Sequence, residues 1–223
     1  MGRAISEVLP GAIGVAISPV PIIAVILVLF SPRARVNGPV FLLGWSTGVA
    51  VVSVVAYLLA EAGDVSTDRN ASDGSYWFKL VAGALLVLLA FRHVRRQRHP
   101  DDEAAPRWMG AIATLTPAKA GGLALLLSAV NPKNLALSLA VGVSLSQAAV
   151  SSGEATVGLI VFIVLASATI AVPVFVYLFG GERAASMLDS WKAWLSEHNH
   201  AVMAVLFVVF GAVLLSQGLR GLT

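Results

Sequence analysis

Long apolar runs separated by short polar segments constrain this chain more than any other feature of its sequence. Six of these runs are candidate membrane spans, at about residues 4–30, 39–60, 75–91, 120–150, 155–181 and 201–219. A helix needs about 20 mostly apolar residues to cross a hydrocarbon core of about 30 Å. Of the 223 residues, 57% are hydrophobic and only 12% are charged, which excludes a water-soluble enzyme. We therefore predict an all-α polytopic membrane protein with six transmembrane helices.

The third and first runs need separate arguments. The uncharged part of the third run extends only from 80 to 91, so a span there requires Lys79 to reach outward to the interface. The first run follows Arg3 and resembles the start of a signal peptide. Its apolar stretch continues to Phe30, however, and Glu7 interrupts the expected basic segment, so we expect it to be retained as a span.

The charges of the short loops predict the orientation. Arg33 and Arg35 follow the first run, and a cluster of arginines follows the third run: Arg92, Arg95, Arg96, Arg98 and Arg107. Basic loops stay in the cytoplasm, whereas the acidic segment 61–74 reads as external. We expect a multi-pass protein of the inner (plasma) membrane with both termini outside. The net charge of +3 thus reports orientation, and nucleic acid is not an expected partner.

The polar midpoint of the chain divides it into two halves. Residues 1–91 form a first three-helix repeat, 92–119 a cytoplasmic basic linker and 120–223 a second three-helix repeat. The linker could also be a polybasic site for anionic headgroups, although a solvated orientation-setting loop is favoured. Within the second repeat, apolar residues recur at helical spacing over 183–197 among charged ones, which predicts an amphipathic helix on the inner membrane surface.

Proline-containing motifs interrupt the first span of each half at mid-depth. Ser18-Pro19-Val20-Pro21 lies in the first span and Asn131-Pro132-Lys133-Asn134 lies at the corresponding depth of the fourth. Pro19, Pro21 and Pro132 each remove a backbone donor, so one half-helix should end and another begin there. Such breaks persist in a membrane only where protein or water satisfies the freed backbone groups.

The matched position of the two breaks favours a functional centre over ordinary proline kinks. Because three spans separate the two starts, the halves run in opposite directions across the membrane. Paired interrupted segments in inverted repeats point to the central binding site of secondary transporters. We therefore predict two inverted three-helix repeats with broken helices 1 and 4.

Lys133 is the only charged residue well inside a span. An ammonium group at the centre of a helix costs about 2.5–3.5 kcal/mol to insert. The spans contain no carboxylate near mid-depth that could pair with it, so water and carbonyls, loss of its proton or an anionic substrate must offset this cost. Asn131, Asn134 and Ser18 add hydrogen-bonding groups, and the half-helices that follow the breaks add positively polarised N-termini. These features favour an anion-binding site, with a structural lysine held by carbonyls as the alternative.

Three weaker features of the sequence are better explained by structural roles than by function. Residues 44–48 place small side chains four residues apart, which favours close helix packing, with Ser46 and Thr47 as weak candidates for lining a cavity. Pro173 is expected to kink the fifth span. The motif 198–200 contains two histidines, yet a solvated cap before the last span is favoured over a metal site.

The sequence lacks the residues that several kinds of chemistry require. The chain has no cysteine, which excludes a disulfide scaffold and thiolate metal sites. The lack of carboxylates inside the spans argues against transport of metal cations. We find no hydrolase constellation and no phosphate loop, so we predict no catalytic residue, no metal, no cofactor and no enzymatic activity.

Specific motifs along nearly the whole chain resemble a known family. They are Ile17-Ser18-Pro19-Val20-Pro21-Ile22, the run 29–38, Phe41-Leu42-Leu43-Gly44-Trp45, the run 131–137 that begins Asn-Pro-Lys-Asn, Pro173 and the stretch 194–199. This pattern resembles the GAP family, the peptidoglycolipid-addressing or sulfolipid-addressing (Sap-like) proteins of the lysine-exporter (LysE) superfamily. The resemblance implies a six-helix inner-membrane protein of two inverted repeats that moves envelope glycolipids toward the cell surface.

The residues and the resemblance together give one main hypothesis. The chain is expected to be a transporter or export factor for an envelope glycolipid or other anionic lipid, with a site between broken helices 1 and 4. One alternative is a LysE-type exporter of a small anionic or zwitterionic metabolite. Another is a non-transporting scaffold that recruits lipid-export machinery. Membrane lipids are expected partners in each case, and self-association stays open.

Overall fold

A computed structural model describes residues 1–62, 84, 88 and 115–220 of the chain. Apart from residues 84 and 88, the predicted third span at 75–91 lies outside the described residues. So does the linker up to residue 114.

All regular elements in the described part are helices, which agrees with an all-helical membrane protein. In chain order they are α1 (Gly2–Ala16), α2 (Pro19–Leu29), α3 (Ala34–Ala62), α4 (Pro117–Ala129), α5 (Pro132–Ser146), α6 (Ser152–Phe179) and α7 (Glu182–Arg220). By length and composition α3 and α6 can each cross a membrane, and so can the bent pairs α1–α2 and α4–α5, each taken as one span.

The two predicted helix breaks are present at the predicted prolines. The chain bends by 57° between α1 and α2 and by 65° between α4 and α5. Pro19 and Pro132 each occupy the first turn of the helix that restarts. Proline suits this position because its fixed φ fits the helix and its missing N–H would have had no intrahelical acceptor.

The long helices each pack on the broken span of the other half. Helix α6 contacts both α1 and α2, whereas α3 contacts both α4 and α5. Gly158 lies beside Ala4, and the Thr169 hydroxyl reaches Ala16, so α6 runs parallel to α1. Gly11 lies against Val141 of α5. Since Lys133, farther back in α5, reaches Gly14, α1 and α5 run antiparallel.

Small residues let α3 approach the second broken span closely. A Cβ atom on Gly44 would collide with the backbone of Gly121 in α4, and one on Gly48 would collide with Ser128. This agrees with the packing interpretation of the 44–48 motif. Trp45, between the two glycines, is fully buried and donates from Nε1 to the carbonyl of Ala166 in α6 at 3.2 Å.

The last helix differs from the prediction. Residues 182–220 form one continuous helix, so the predicted cap at 198–200 is wrong. His198 lies inside the helix, with its ring Nδ1 2.9 Å from the Trp194 carbonyl oxygen and its ring stacked on the Trp194 ring. The physical reason is that the sequence contains no proline or glycine from 182 to 210 that would stop the helix. The side chains of residues 199 and 200 lie outside the described ones.

Helix α7 is longer than a membrane span requires. Its 39 residues extend over about 58 Å, compared with a hydrocarbon core of about 30 Å. Its first part packs on α2, with Leu188 fully buried and the Lys192 ammonium 5.3 Å from the centroid of the Phe30 ring. The amphipathic segment 183–197 therefore buries part of its apolar face against the protein. Trp194 and Met187 stay exposed.

Candidate functional site

Lys133 joins the second broken span to the first. It is the second residue of α5 and is only 1% exposed. Its Nζ donates to the Gly14 carbonyl at 2.7 Å, to the Ile17 carbonyl at 2.9 Å and to the Ser18 hydroxyl at 2.6 Å. An ammonium group has three protons, so these contacts use its full donor capacity.

The acceptors belong to the C-terminal end of α1. The last carbonyls of a helix have no partner within it and form the negative end of its dipole. Each of the last four carbonyls before the break has a donor: Ile13 from Ile17 N, Gly14 from Lys133 Nζ, Val15 from Ser18 Oγ, and Ala16 from Ser18 N and Thr169 Oγ1. A donor thus lies within reach of each of these four carbonyls, and the donor at Gly14 comes from α5.

The second break is closed by asparagines. Asn131 is the N-cap of α5, and its Oδ1 accepts the backbone N–H of Lys133 at 3.1 Å. Asn134 is fully buried and donates from Nδ2 to the Leu127 carbonyl in α4 at 3.1 Å. Its Oδ1 lies 3.1 Å from the Ser18 hydroxyl, whose single proton can go either there or to Val15. Ser18, Lys133 and Asn134 thus form one buried network between the two broken spans.

The structure brings together the four side chains that the sequence predicted as a site. Ser18 contacts Lys133 and Asn134, while Asn131 contacts the Lys133 backbone. In this conformation Nζ lies within hydrogen-bond distance of two carbonyls and a hydroxyl, which are acceptors of the kind that the sequence argument required. The two ion pairs in the described part of the chain join the N-terminal amine to Glu154 and Lys192 to Asp189, and neither involves Lys133. Whether these residues contact a substrate stays a prediction.

The breaks supply fewer N–H donors than the sequence argument assumed. Pro19 and Pro21 take up two of the first three positions of α2, and both are buried. Because proline has no N–H, the N-terminus of α2 attracts an anion less than an ordinary helix start would. Pro132 has the same effect at the first position of α5, where its side chain is exposed.

The weak cavity candidates occupy different surroundings. The Ser46 hydroxyl lies 3.0 Å from that of Ser167 and links α3 to α6. Thr47 lies on the exposed face of α3. The proposed role in lining a cavity stays a prediction for both residues. Pro173 is buried within α6, and the helix continues through it.

Two polar residues in the interior escaped the sequence argument. Thr169 donates to the Ala16 carbonyl at 2.6 Å, but only the parallel packing of α6 on α1 identifies it. Asn37 is fully buried near the end of α2, where its Nδ2 donates to Ser31 Oγ and to the Leu115 carbonyl, both at 3.0 Å. An asparagine near a loop resembles any polar boundary residue, so the sequence offered no signal for this contact.

Comparison with known families gives one match over most of the chain. The family model described as Sap, sulfolipid-1-addressing protein matches residues 8–220, a range that contains both helix breaks. No curated protein and no solved structure matches the chain.

Proposed function

Since the chain belongs to the Sap, sulfolipid-1-addressing protein family, we propose that it takes part in the export of an envelope glycolipid or other anionic lipid and moves this lipid itself. Cargo recognition takes place where the two broken spans meet. The family relation supports a role in glycolipid addressing. The geometry at the breaks supports the more specific transport role.

The surroundings of the breaks carry this proposal, because they combine an apolar outer side with a polar inner side. Ile17 is 40% exposed and Val20 is 37% exposed beside the first break, and Val130 is 61% exposed beside the second. In a membrane, exposed apolar residues at this depth face acyl chains. Ser18 and Lys133 lie buried on the inner side. A lipid can therefore keep its chains in the bilayer while its headgroup enters a break, which favours a lipid over a small metabolite.

Lys133 is the centre of the proposed cargo site. The conformation described is the resting one, in which the Gly14 and Ile17 carbonyls hold the ammonium group. A sulfate, phosphate or carboxylate on the headgroup competes with these neutral oxygens, because an ionised acceptor binds an ammonium group more strongly. Ser18, Asn131 and Asn134 then orient the headgroup. Pro19, Pro21 and Pro132 keep the backbone unwound around it.

The helix arrangement supports two inverted repeats of the LysE type. The first and second broken spans run antiparallel, and each packs on the long helix of the other half. This is the relation expected of repeats with inverted topology, whose rocking about a central site gives alternating access. The proposed repeats are residues 1–91 and 120–223, although α4 already begins at Pro117. In the proposed architecture each repeat contains three membrane spans, which gives six in all.

Charge supports one orientation of the molecule. Phe30, Leu115 and the start of α7 mark one end, and its described cations are Arg33, Arg35, Lys119, Arg183 and Lys192. Glu61 and Glu154 lie at the opposite end. By the positive-inside rule the first end is cytoplasmic, which puts both termini outside the inner membrane. Lipid entering the breaks from the inner leaflet would then be carried outward.

Native mass spectrometry of the gently solubilised protein tests the cargo site. We expect wild type to retain an anionic lipid and Lys133→Ala to lose up to about 90% of it, since a loss of about 1.4 kcal/mol weakens binding tenfold. Lys119→Ala is the matched control, because it removes an exposed lysine at the start of α4 and should retain the lipid.

Other outcomes of this measurement contradict the proposal in different ways. Specific retention of an anion without acyl chains would favour the LysE-type metabolite exporter. If no molecule is retained by either protein, the scaffold becomes the better account. Equal retention of lipid by wild type and Lys133→Ala would leave Lys133 with a structural role only.

A further inference from the structure

We infer that the break between α1 and α2 is a binding site for a monovalent cation, and that the ammonium group of Lys133 fills it in the wild-type protein. The proposed site consists of three neutral oxygens, namely the carbonyls of Gly14 and Ile17 and the hydroxyl of Ser18. This inference concerns the break itself and holds whatever the cargo is.

The ligands of the site are those that bind alkali cations in broken membrane helices. Unwound backbone carbonyls and the C-terminal end of a half-helix coordinate Na⁺ in transporters built from inverted repeats. Here the three oxygens lie 2.6–2.9 Å from Nζ, and they come from the unwound turn and the C-terminal end of α1. Helix α1 ends in this turn with its negative dipole end toward Nζ. The arrangement supplies oxygens and a negative potential without a carboxylate.

The second break shows that the free carbonyls of an interrupted helix can be satisfied without a positive charge. Gly14 and Leu127 occupy equivalent positions, each two residues before the end of its half-helix. The ammonium group of Lys133 donates a hydrogen bond to the Gly14 carbonyl, whereas the neutral amide of Asn134 donates one to the Leu127 carbonyl. An amide also satisfies a carbonyl, so the charge at the first break is a specific feature of that break. The neighbouring residues 133 and 134 thus close the two breaks in different ways.

No charged side chain of the described neighbouring helices contacts Nζ of Lys133, which agrees with a site for one positive charge only. The other titratable groups on the described helices packed against α5 are the following: Arg3 and Glu7 on α1, Arg35, Tyr57 and Glu61 on α3, Lys119 on α4, and Glu154 and Tyr177 on α6. None of these side chains donates to or accepts from Lys133 in the described contacts. The tethered ammonium therefore makes the wild-type site independent of Na⁺ and K⁺.

Thermal unfolding of Lys133→Ala in different chloride salts at equal ionic strength tests this inference. We expect its Tm in sodium, potassium or methylammonium chloride to exceed that in choline chloride by about 3–6 °C, as for a ligand at about ten times its Kd. Choline is too large for the space that the lysine side chain leaves. Wild type should show no such difference, because its site is already filled. Adding Ser18→Ala to Lys133→Ala should reduce the rescue, since it removes one oxygen ligand.

Two control variants separate a cation site from a need for volume or for hydrogen bonds. Lys133→Met fills the space without a charge and should not respond to small cations. Lys133→Gln supplies two N–H donors without a charge and should be less stable than wild type in choline. The inference is overturned if Lys133→Ala has the same Tm in all four salts, or if Lys133→Gln is as stable as wild type in choline. The second result remains decisive even if Lys133→Ala does not fold. These Tm measurements do not depend on lipid binding, so a loss of lipid binding by Lys133→Ala would not alter how they are interpreted.

Discussion

Oxidising a Ser46→Cys/Ser167→Cys double variant is expected to reduce lipid export to background, and reduction should restore it. The two hydroxyl oxygens lie 3.0 Å apart across the contact between α3 and α6, so two cysteines there can form a disulfide with little movement. The bond would tie α3 to α6, which belong to different repeats in the proposed architecture. If transport requires the repeats to rock against each other, this tether stops it. Export of labelled lipid before and after reduction measures the effect.

The chain offers a clean background for this experiment, because it has no native cysteine. Each single variant, Ser46→Cys and Ser167→Cys, should export normally under the same oxidising conditions. A cross-linked protein that exports at the wild-type rate would contradict movement between α3 and α6. It would leave the cargo site itself untouched.

Replacing Gly142 with leucine is expected to prevent correct folding. Gly142 lies where α5 crosses α3, and a Cβ atom there would come within 2.7 Å of Ala56 Cβ and 2.8 Å of the Tyr57 nitrogen. The backbone of α3 cannot move aside as a flexible side chain can. We therefore expect a loss of about 3 kcal/mol or more in the free energy of unfolding. Size-exclusion chromatography and thermal unfolding in detergent measure the result.

Gly122→Leu is the matched control for this substitution. It lies within α4, and a Cβ atom added there would meet no other atom within 4 Å. Its leucine should point into detergent or lipid and leave the Tm close to that of wild type. Equal behaviour of the two leucine variants would show that α3 and α5 do not pack as described.

The sequence predicted the helix breaks because proline acts locally. Pro19 and Pro132 remove a backbone donor and disfavour a helical conformation at the preceding residue. Proline alone does not impose a break, since α6 continues through Pro173. The same local argument applied to 198–200 was wrong, because polar residues permit a helix end without enforcing one. The resemblance to the Sap-like family is confirmed by the match over 8–220, whereas membership of the wider LysE superfamily stays a prediction.

The partners of Lys133 could not be predicted from residue types. Two of its three acceptors are backbone carbonyls, which every residue carries, so the sequence contains no mark of Gly14 or Ile17 as partners. The sequence did show that a buried ammonium group needs acceptors and that no carboxylate lies near. Only the antiparallel packing of α5 on α1 identifies which oxygens they are. Thr169 was missed for the same reason, since its acceptor is the carbonyl of Ala16.

Lipid transfer between leaflets in proteoliposomes tests the central claim most directly. The experiment compares wild type, Lys133→Ala and Lys119→Ala at equal protein density, with a labelled lipid that carries a sulfated sugar headgroup. We predict that wild type and Lys119→Ala speed the transfer at least about tenfold over empty vesicles, whereas Lys133→Ala does not, a difference of about 1.4 kcal/mol in the barrier. Transfer at the same rate in wild-type and empty vesicles would contradict the claim that this chain itself moves the lipid.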